Sequence, residues 1–340
     1  MRLEPIGDLS GDAWNEAIAP YDSAMFYHHS AWLSFLEERG RGKAVRFRIL
    51  DGAEPRGYFV AFLLRKGPFR ILGSPLSASM SEYMGPIVDA DFEVEQFLVS
   101  LDALCESLRI HHVELGSPLL EPGVMRRHHY ETQEWMTYRI PLSRDQDAMW
   151  KGLKRQSRNR IRRGLKNGLV VEDTRDPSFV DTHYSQVVEV FGRQGLAPPF
   201  VIEDFRALYK WLKPQDLVFS LEVKRQGTGD VIASGIFPHD SRHVYSLSTA
   251  SRTDSRSLYP NELLHWTVMR LAGQRGLERY SIGDSHRAPD SGGKFKDKFR
   301  GDYVPVHRFR RNYSLLAKYS RQVYAAVTRA KQRFAWRGSR

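Results

Sequence analysis

Cysteine is almost missing from this chain. Cys105 is the one thiol among 340 residues, which excludes an intrachain disulfide framework and any multi-thiolate metal site and fits a reducing compartment. Zinc fingers and CxxC redox motifs are excluded with it. No stretch reaches the ~18 uncharged apolar residues that a spanning helix needs. Glu4, Asp8 and Asp12 appear before any apolar run follows a positive one, unlike a secretory leader, so the chain is expected in the cytoplasm. No HExxH and no GxSxG occurs. The pairs His28-His29, His111-His112 and His128-His129 lack accompanying carboxylates and read as surface or strand histidines. What the chain does hold is 41% hydrophobic and 12% aromatic residues, enough for real cores in about two domains.

Acid is absent from two segments. Residues 151–166 carry eight Lys/Arg and residues 308–340 carry ten, with no Asp or Glu in either. The formal charge of +11 is therefore local, and local cation density implies a polyanionic partner: phosphate groups, RNA or an anionic membrane surface. In the first segment Trp150, Leu153, Ser157, Ile161 and Leu165 form one helical stripe, with Lys154, Arg155, Arg158, Arg162 and Arg163 on the other faces. The plain alternative is a solvated basic face. In the second, Leu316, Tyr319, Val323 and Val327 recur at helical spacing among basic residues, as in an amphipathic helix lying on an anionic membrane or on RNA; the alternative is a packed helix with a frayed basic end.

The order of elements repeats. Short strands at 46–50, 57–64 and 69–72 precede a helix carrying Val94, Phe97, Leu98, Leu101, Leu104, Cys105 and Leu108, then a strand at 111–115. Strands at 217–223, 231–237 and 243–248 likewise precede a helix that opens at Pro260, buries Leu264, Val268, Leu271 and Ala272, and ends at Gly276; a strand at 279–282 follows. A meander, a helix and a further strand, twice over, is an α+β plan with one mixed sheet per half, the order of the acetyltransferase-like GNAT fold. The expected divisions are 1–145, 146–312 and a basic tail at 313–340.

The segment YSIGDSHRAPDSGGKFKDKFRGDY (280–303) holds the candidate chemistry. A strand ends at Gly283, a polar loop follows, and then Lys294, Lys296 and Lys298 alternate with Phe295 and Phe299. Loops at strand ends, positioned by a rigid sheet, commonly carry chemistry. A lysine held between aromatics can offset a developing oxyanion, and Gly292-Gly293 lets backbone approach a ligand. The alternative is a solvated turn before an edge strand.

Phe26 with Trp32, the Arg158-Asn159-x-Ile161-Arg162-Arg163 helix with Gly168-Leu169, the Leu263-Leu264-His265-Trp266 helix ending at Gly276, and Gly283, Ser285, Phe295-Lys296, Phe299 and Gly301 together resemble the FemAB-like peptidoglycan-bridge aminoacyltransferases and the related exopolysaccharide and PEP-CTERM cluster proteins. The resemblance covers most of residues 20–312. It implies two tandem GNAT-like domains joined face to face and transfer of an acyl group to an amine of a cell-envelope precursor, with aminoacyl-tRNA as donor. It further implies a transition-state role for Lys296, supported by Phe295. Ser281 stands where the family often has an acid, Asp284 where a basic residue is common, and residues 170–215 leave no room for a long helical arm.

Amine attack on an ester or thioester needs a cation for the oxyanion and a base for the amine proton. Lys296 suits the first and Asp284 is the candidate for the second. The substrate-binding candidates are Lys154, Arg158, Arg160 and Arg162 for the phosphates of a phosphorylated or lipid-linked precursor, with Trp266, Ser285 and Gly293 lining the site. No tightly bound cofactor and no metal is expected. The rival donor is acyl-CoA, as in a GNAT-type N-acetyltransferase of exopolysaccharide synthesis. Against it, SRTDSRSLYPNELL (251–264) has no glycine where a pyrophosphate loop would lie, though Arg252 and Arg256 could meet phosphates. A third reading is a non-catalytic RNA- or membrane-binding module.

Overall fold

The computed structural model describes every residue except Asp8, Ala78, Ala90, 286–294, 315, 317, 318 and 320–340, and it describes Asp284 and Ser285 by backbone alone. The basic tail expected at 313–340 therefore falls almost wholly outside the described residues. The chain divides into two compact units, Met1–Glu134 with the chain from Val306 on, and Trp135–Pro305. This division differs from the expected one. The second unit starts before residue 146 and ends before residue 312, because two long strands pass from one unit to the other.

In the first unit β1 (Arg2–Pro5), α1 (Gly11–Ile18), α2 (Ser30–Glu38), β2 (Lys43–Asp51), β3 (Glu54–Lys66), β4 (Phe69–Ser74), β5 (Pro86–Val88), α3 (Val94–Ser107), β6 (His112–Gly116) and α4 (Pro122–Arg127) follow in order. The expected meander is β2–β3–β4, antiparallel throughout, and β4 pairs with β6 in parallel, so α3 is the crossover. Phe97, Leu98, Leu101 and Cys105 of α3 are buried against Phe59, Leu72 and Val113, which is what their 3–4 residue spacing requires. β7 (Glu131–Pro141) then enters the second unit at Trp135.

The second unit continues with α5 (Gln146–Gly152), α6 (Arg155–Lys166), β8 (Leu169–Asp173), α7 (Phe179–Gly192), α8 (Ile202–Leu212), β9 (Val218–Arg225), β10 (Val231–Pro238), β11 (His243–Tyr245), β12 (Ser248–Ser251), α9 (Pro260–Gln274), β13 (Arg279–Ser285) and β14 (Asp302–Asn312), which returns to the first unit at Val306. Its strands form two groups, β12-β10-β9-β8 and β7-β13-β11. The second group is mixed, β13 being antiparallel to β7 and parallel to β11, while the first is antiparallel throughout. The run at 243–248 changes partner midway: the Ser246 amide bonds to Ser281 O at 2.8 Å and the next amide, Leu247, to Ile236 O at 3.1 Å. β11 therefore pairs in parallel with β13, while β12 pairs with β10. Residues 246–249 are left only half-buried where the two groups part.

Two further expectations are corrected. The basic segment is not one helix, because the chain is extended at Leu153 and Lys154, between α5 and α6. Leu165, placed on the buried stripe, is 55% exposed, and Gly164 takes the buried position. Helix α9 behaves as its sequence requires. Pro260 occupies N1, and Leu264, Val268 and Ala272 are fully buried. Gly276 at φ +82° closes the helix with Leu277 N to Ala272 O at 3.0 Å, a Schellman end that favours glycine.

Candidate active site

The site is built where β13, α9, α6 and the turn at Phe295–Phe299 meet, all within the second unit. The register of β13 against β7 shifts between Ser281 and Asp284, and Gly283 lies in this bulge at φ +40°, a backbone state open to glycine. Lys296 Nζ donates to Gly283 O at 2.9 Å, and Thr137 Oγ1 approaches the same carbonyl at 3.4 Å. Lys296 is only 9% exposed. An ammonium so enclosed needs acceptors, and the bulge carbonyl is one.

Aromatic rings hold the turn. Phe295 packs on His265 at 5.2 Å and on Phe299 at 5.5 Å between ring centres. His265 is buried with Nδ1 2.6 Å from the Tyr280 hydroxyl. Burial lowers its pKa to about 4, with Glu262 opposing and Lys296 and Lys298 adding to the shift, so it is neutral at pH 7. Burial likewise pushes the Tyr280 hydroxyl up.

Beneath the rings lies a charge cluster that the residue pattern alone does not single out. Glu262 Oε1 accepts from Lys298 Nζ and from Arg160 Nη1, both at 2.9 Å, and Lys298 Nζ lies 4.4 Å from the Phe295 ring centre. Burial alone would raise the Glu262 pKa, but the two cationic donors outweigh it and hold the carboxyl below its ordinary value. The start of α6 is tied to the same turn: Ser157 Oγ donates to Lys298 O at 2.9 Å and Lys154 N at 3.3 Å. A polar stripe residue, Ser157, is the available sequence signal for this contact.

The expected phosphate ligands have separate placements. Lys154 is exposed at the start of α6. Arg158 Nη1 donates to the carbonyls of Lys151 and Leu153, both at 2.8 Å, and caps α5. Arg160 is engaged by Glu262 and lies over the Tyr259 ring at 5.4 Å. Arg162 lies over Trp150 at 5.3 Å, and Trp150 packs on Trp266 at 5.1 Å, so Arg162 and Trp266 share one aromatic stack. The backbones of Asp284 and Ser285 pair with Thr137 and Met136 in β13; their side chains, and Gly293, lie outside the described residues. Among the described residues no group of three His, Cys, Asp or Glu could hold a metal, and no helix is long and apolar enough to cross a membrane.

Residues 151–296 match the family model described as an acetyltransferase (GNAT) domain. No curated protein matches by sequence. The fold is similar to the crystal structure of FemX, at TM-score 0.70 and 13% identity over 89% of this chain and 96% of that one. A tandem GNAT protein from the clavulanic acid biosynthesis pathway is similar at TM-score 0.53 and 9% identity, over 92% and 98% of the two chains. The C-terminal domain of a putative lysylphosphatidylglycerol synthetase from Agrobacterium fabrum follows at TM-score 0.51 and 13% identity, over 89% and 93%. The architecture is α+β with tandem GNAT-like domains, and the protein is an acyltransferase.

Proposed function

We propose that the chain is a FemAB-like N-acyltransferase that moves an aminoacyl group from aminoacyl-tRNA to a primary amine of a phosphorylated or lipid-linked cell-envelope precursor. One observation carries the reading: Lys296 is enclosed beside the bulged end of β13, with its ammonium fixed on Gly283 O at 2.9 Å. In the reaction the amine nitrogen attacks the ester carbonyl. Its oxygen becomes an oxyanion opposite the Lys296 ammonium; as the carbonyl re-forms, the ester C–O bond breaks and the departing ribose oxygen takes up the proton the amine gives away, leaving as a hydroxyl. Asp284 remains the candidate for relaying this proton.

The start of α9 supports tRNA over acyl-CoA as donor. In a GNAT site backbone amides at that helix end would meet a pyrophosphate. Here Pro260 removes one amide, and the nearby cations Lys298 and Arg160 are already engaged by the Glu262 carboxylate in the first turn. The exposed cations of α6 suit the precursor's phosphates, and the tail at 313–340 suits an anionic membrane surface, placing the enzyme on the cytoplasmic face. Purified full-length protein, given radiolabelled aminoacyl-tRNA and a nucleotide-linked peptide precursor, should transfer label to the precursor amine. Lys296→Met should cut kcat by about 10²–10³, the cost of losing one oxyanion donor, with an unchanged melting temperature. Undiminished turnover in that variant overturns the mechanism. Transfer from acyl-CoA instead, with stabilisation by CoA esters and not by charged tRNA, overturns the donor.

A further inference from the structure

Helix α7 and strands β10 and β12 enclose a polar chain that the site above does not use. Gln186, His183 and Ser234 are all at least 99% buried. Gln186 Nε2 donates to Val231 O at 3.1 Å, which leaves its Oε1 as an acceptor for the Ser234 hydroxyl at 2.6 Å. A hydroxyl has one hydrogen to give. With that hydrogen committed, Ser234 Oγ can only accept from His183 Nδ1, 2.8 Å away. The His183 hydrogen is then on Nδ1, its Nε2 is bare, and the group 2.8 Å from Nε2 is the Ser248 hydroxyl, which must donate to it. Among the described residues Ser248 Oγ has no other hydrogen-bond partner, and Ser248 is half-buried at the point where β12 parts from the β11–β13 group.

We propose that Ser248 is a substrate-positioning residue whose hydroxyl, with its hydrogen held by His183, presents only lone pairs at the half-buried point where β12 parts from the β11–β13 group and there receives an N–H of the acceptor amine. The proposal rests on the acyltransfer reading above and adds the group that orients the amine. A serine donating to a bare imidazole nitrogen also resembles an activated nucleophile. That alternative fails on charge. Taking the serine proton would create an imidazolium in full burial, and the partner behind it is the neutral Ser234 where a carboxylate would be needed. Burial already lowers the His183 pKa to about 3. His183 therefore fixes a hydrogen and does not collect one.

The test uses full-length protein with 15N-labelled histidine. The His183 resonances should report hydrogen on Nδ1 and none on Nε2 at pH 7, and adding lysinamide as amine probe should shift Nε2 in the wild type but not in Ser248→Ala. Hydrogen on Nε2, or no response to lysinamide, overturns the proposal whether or not the protein transfers anything. In turnover, Ser248→Ala should raise the KM for the acceptor about tenfold, one hydrogen bond's worth, with the donor KM unchanged. Ser248→Thr, which keeps the hydroxyl, should restore it. An unchanged acceptor KM in Ser248→Ala refutes the role. Absence of transfer in the wild type refutes the acyltransfer reading instead and leaves the resonance test decisive for Ser248.

Discussion

Glu262 and Lys298 meet at 2.9 Å on a carboxylate whose side chain is 7% exposed. Thirty-six residues separate them in the chain. The contact fixes the turn that carries Phe295 and Lys296 onto the first turn of α9, and Arg160 adds α6 to the same oxygen. Glu262→Ala should strand two cations in a poorly hydrated place, where losing one partner of a buried pair costs about 3–5 kcal/mol. At about 2–4 °C per kcal/mol for a domain of this size, calorimetry should record a drop of at least 6 °C. Glu262→Gln keeps the shape and should lose less stability, yet still lower kcat, because a neutral amide oxygen holds the Lys298 ammonium more weakly than the carboxylate and anchors the turn less firmly. A variant with unchanged melting and turnover would show that the cluster does not hold the turn.

Acid should destabilise the fold in two stages. His265 and His183 have folded pKa values lowered to about 4 and about 3, so between those values and 6.5 the unfolded chain binds protons that the native state refuses. Stability is then full above pH 6.5 and falls as pH drops, by about 1.4 kcal/mol per unit for each histidine. Glu262, held below its ordinary 4.5, keeps its contribution above that value and loses it on further acidification. Urea unfolding at pH 7, 6 and 5 should give a steadily smaller free energy, and His265→Gln should reduce the slope. A flat profile across those pH values contradicts the burial of both imidazoles.

Arg158 and the exposed cations of α6 should separate experimentally. Arg158→Ala removes two hydrogen bonds to the carbonyls at the end of α5 and should cost about 1–2 kcal/mol in stability, with no change in how binding of the nucleotide-linked precursor responds to salt. Arg163→Glu and Lys166→Glu change residues that lie exposed on α6. They should leave melting unchanged and lower the salt slope by about one for each phosphate that α6 no longer neutralises. Equal salt slopes in all three variants would remove α6 from the polyanion interface.

Some of this was legible in the chain itself. The 3–4 residue spacing of Phe97, Leu98, Leu101 and Cys105, and that of Leu264, Val268 and Ala272, announces α3 and α9 because a buried helical face leaves a period in the sequence. The resemblance singled out Phe295-Lys296, and folding encloses that lysine beside Gly283 O. The Glu262 cluster was not, since its charges pair only once α6, α9 and the turn are folded together, and composition alone counts Arg158 and Arg160 as unengaged cations. β14 was obscured by Pro305 and by Arg308, Arg310 and Arg311, which read as part of a basic tail. Folding gives those arginines partners: Arg308 reaches Ser81 O at 2.7 Å, Arg310 reaches Ser77 Oγ at 3.0 Å, and Arg311 takes both oxygens of Asp102 at 2.8 Å. The change of partner at Ser246 and Leu247 was illegible for a different reason. A strand that leaves one neighbour for another keeps the same alternation throughout.

Gly301 should tolerate no side chain. An added Cβ would lie 2.3 Å from Arg139 O, a backbone atom of β7 that cannot swing aside, and the Gly301 amide already bonds to the Tyr138 hydroxyl at 2.6 Å. Gly301→Ala therefore has to push the chain after Phe299 away from β7, an overpacking cost of about 1–3 kcal/mol, and should shift Lys296 with it. Lower melting together with reduced kcat is the expected pair of results; a variant as active and as stable as the wild type would mean that this close approach is not kept in solution.

Cys105 tests the first unit independently. The thiol is 1% exposed on the inner face of α3, and burial raises its pKa to about 12, so native protein at pH 8 holds about one thiolate in ten thousand. A disulfide reagent should label it only through opening of the core formed by Phe97, Leu101, Val113 and Phe309. Labelling should be slow in native buffer, accelerate with urea in step with unfolding measured by circular dichroism, and become stoichiometric in the denatured chain. Val113→Ala, which cuts into the same core, should speed native labelling, while Glu262→Ala in the second unit should leave it unchanged if the two units open separately. Rapid stoichiometric labelling of the wild type without denaturant would show that α3 does not seal this core.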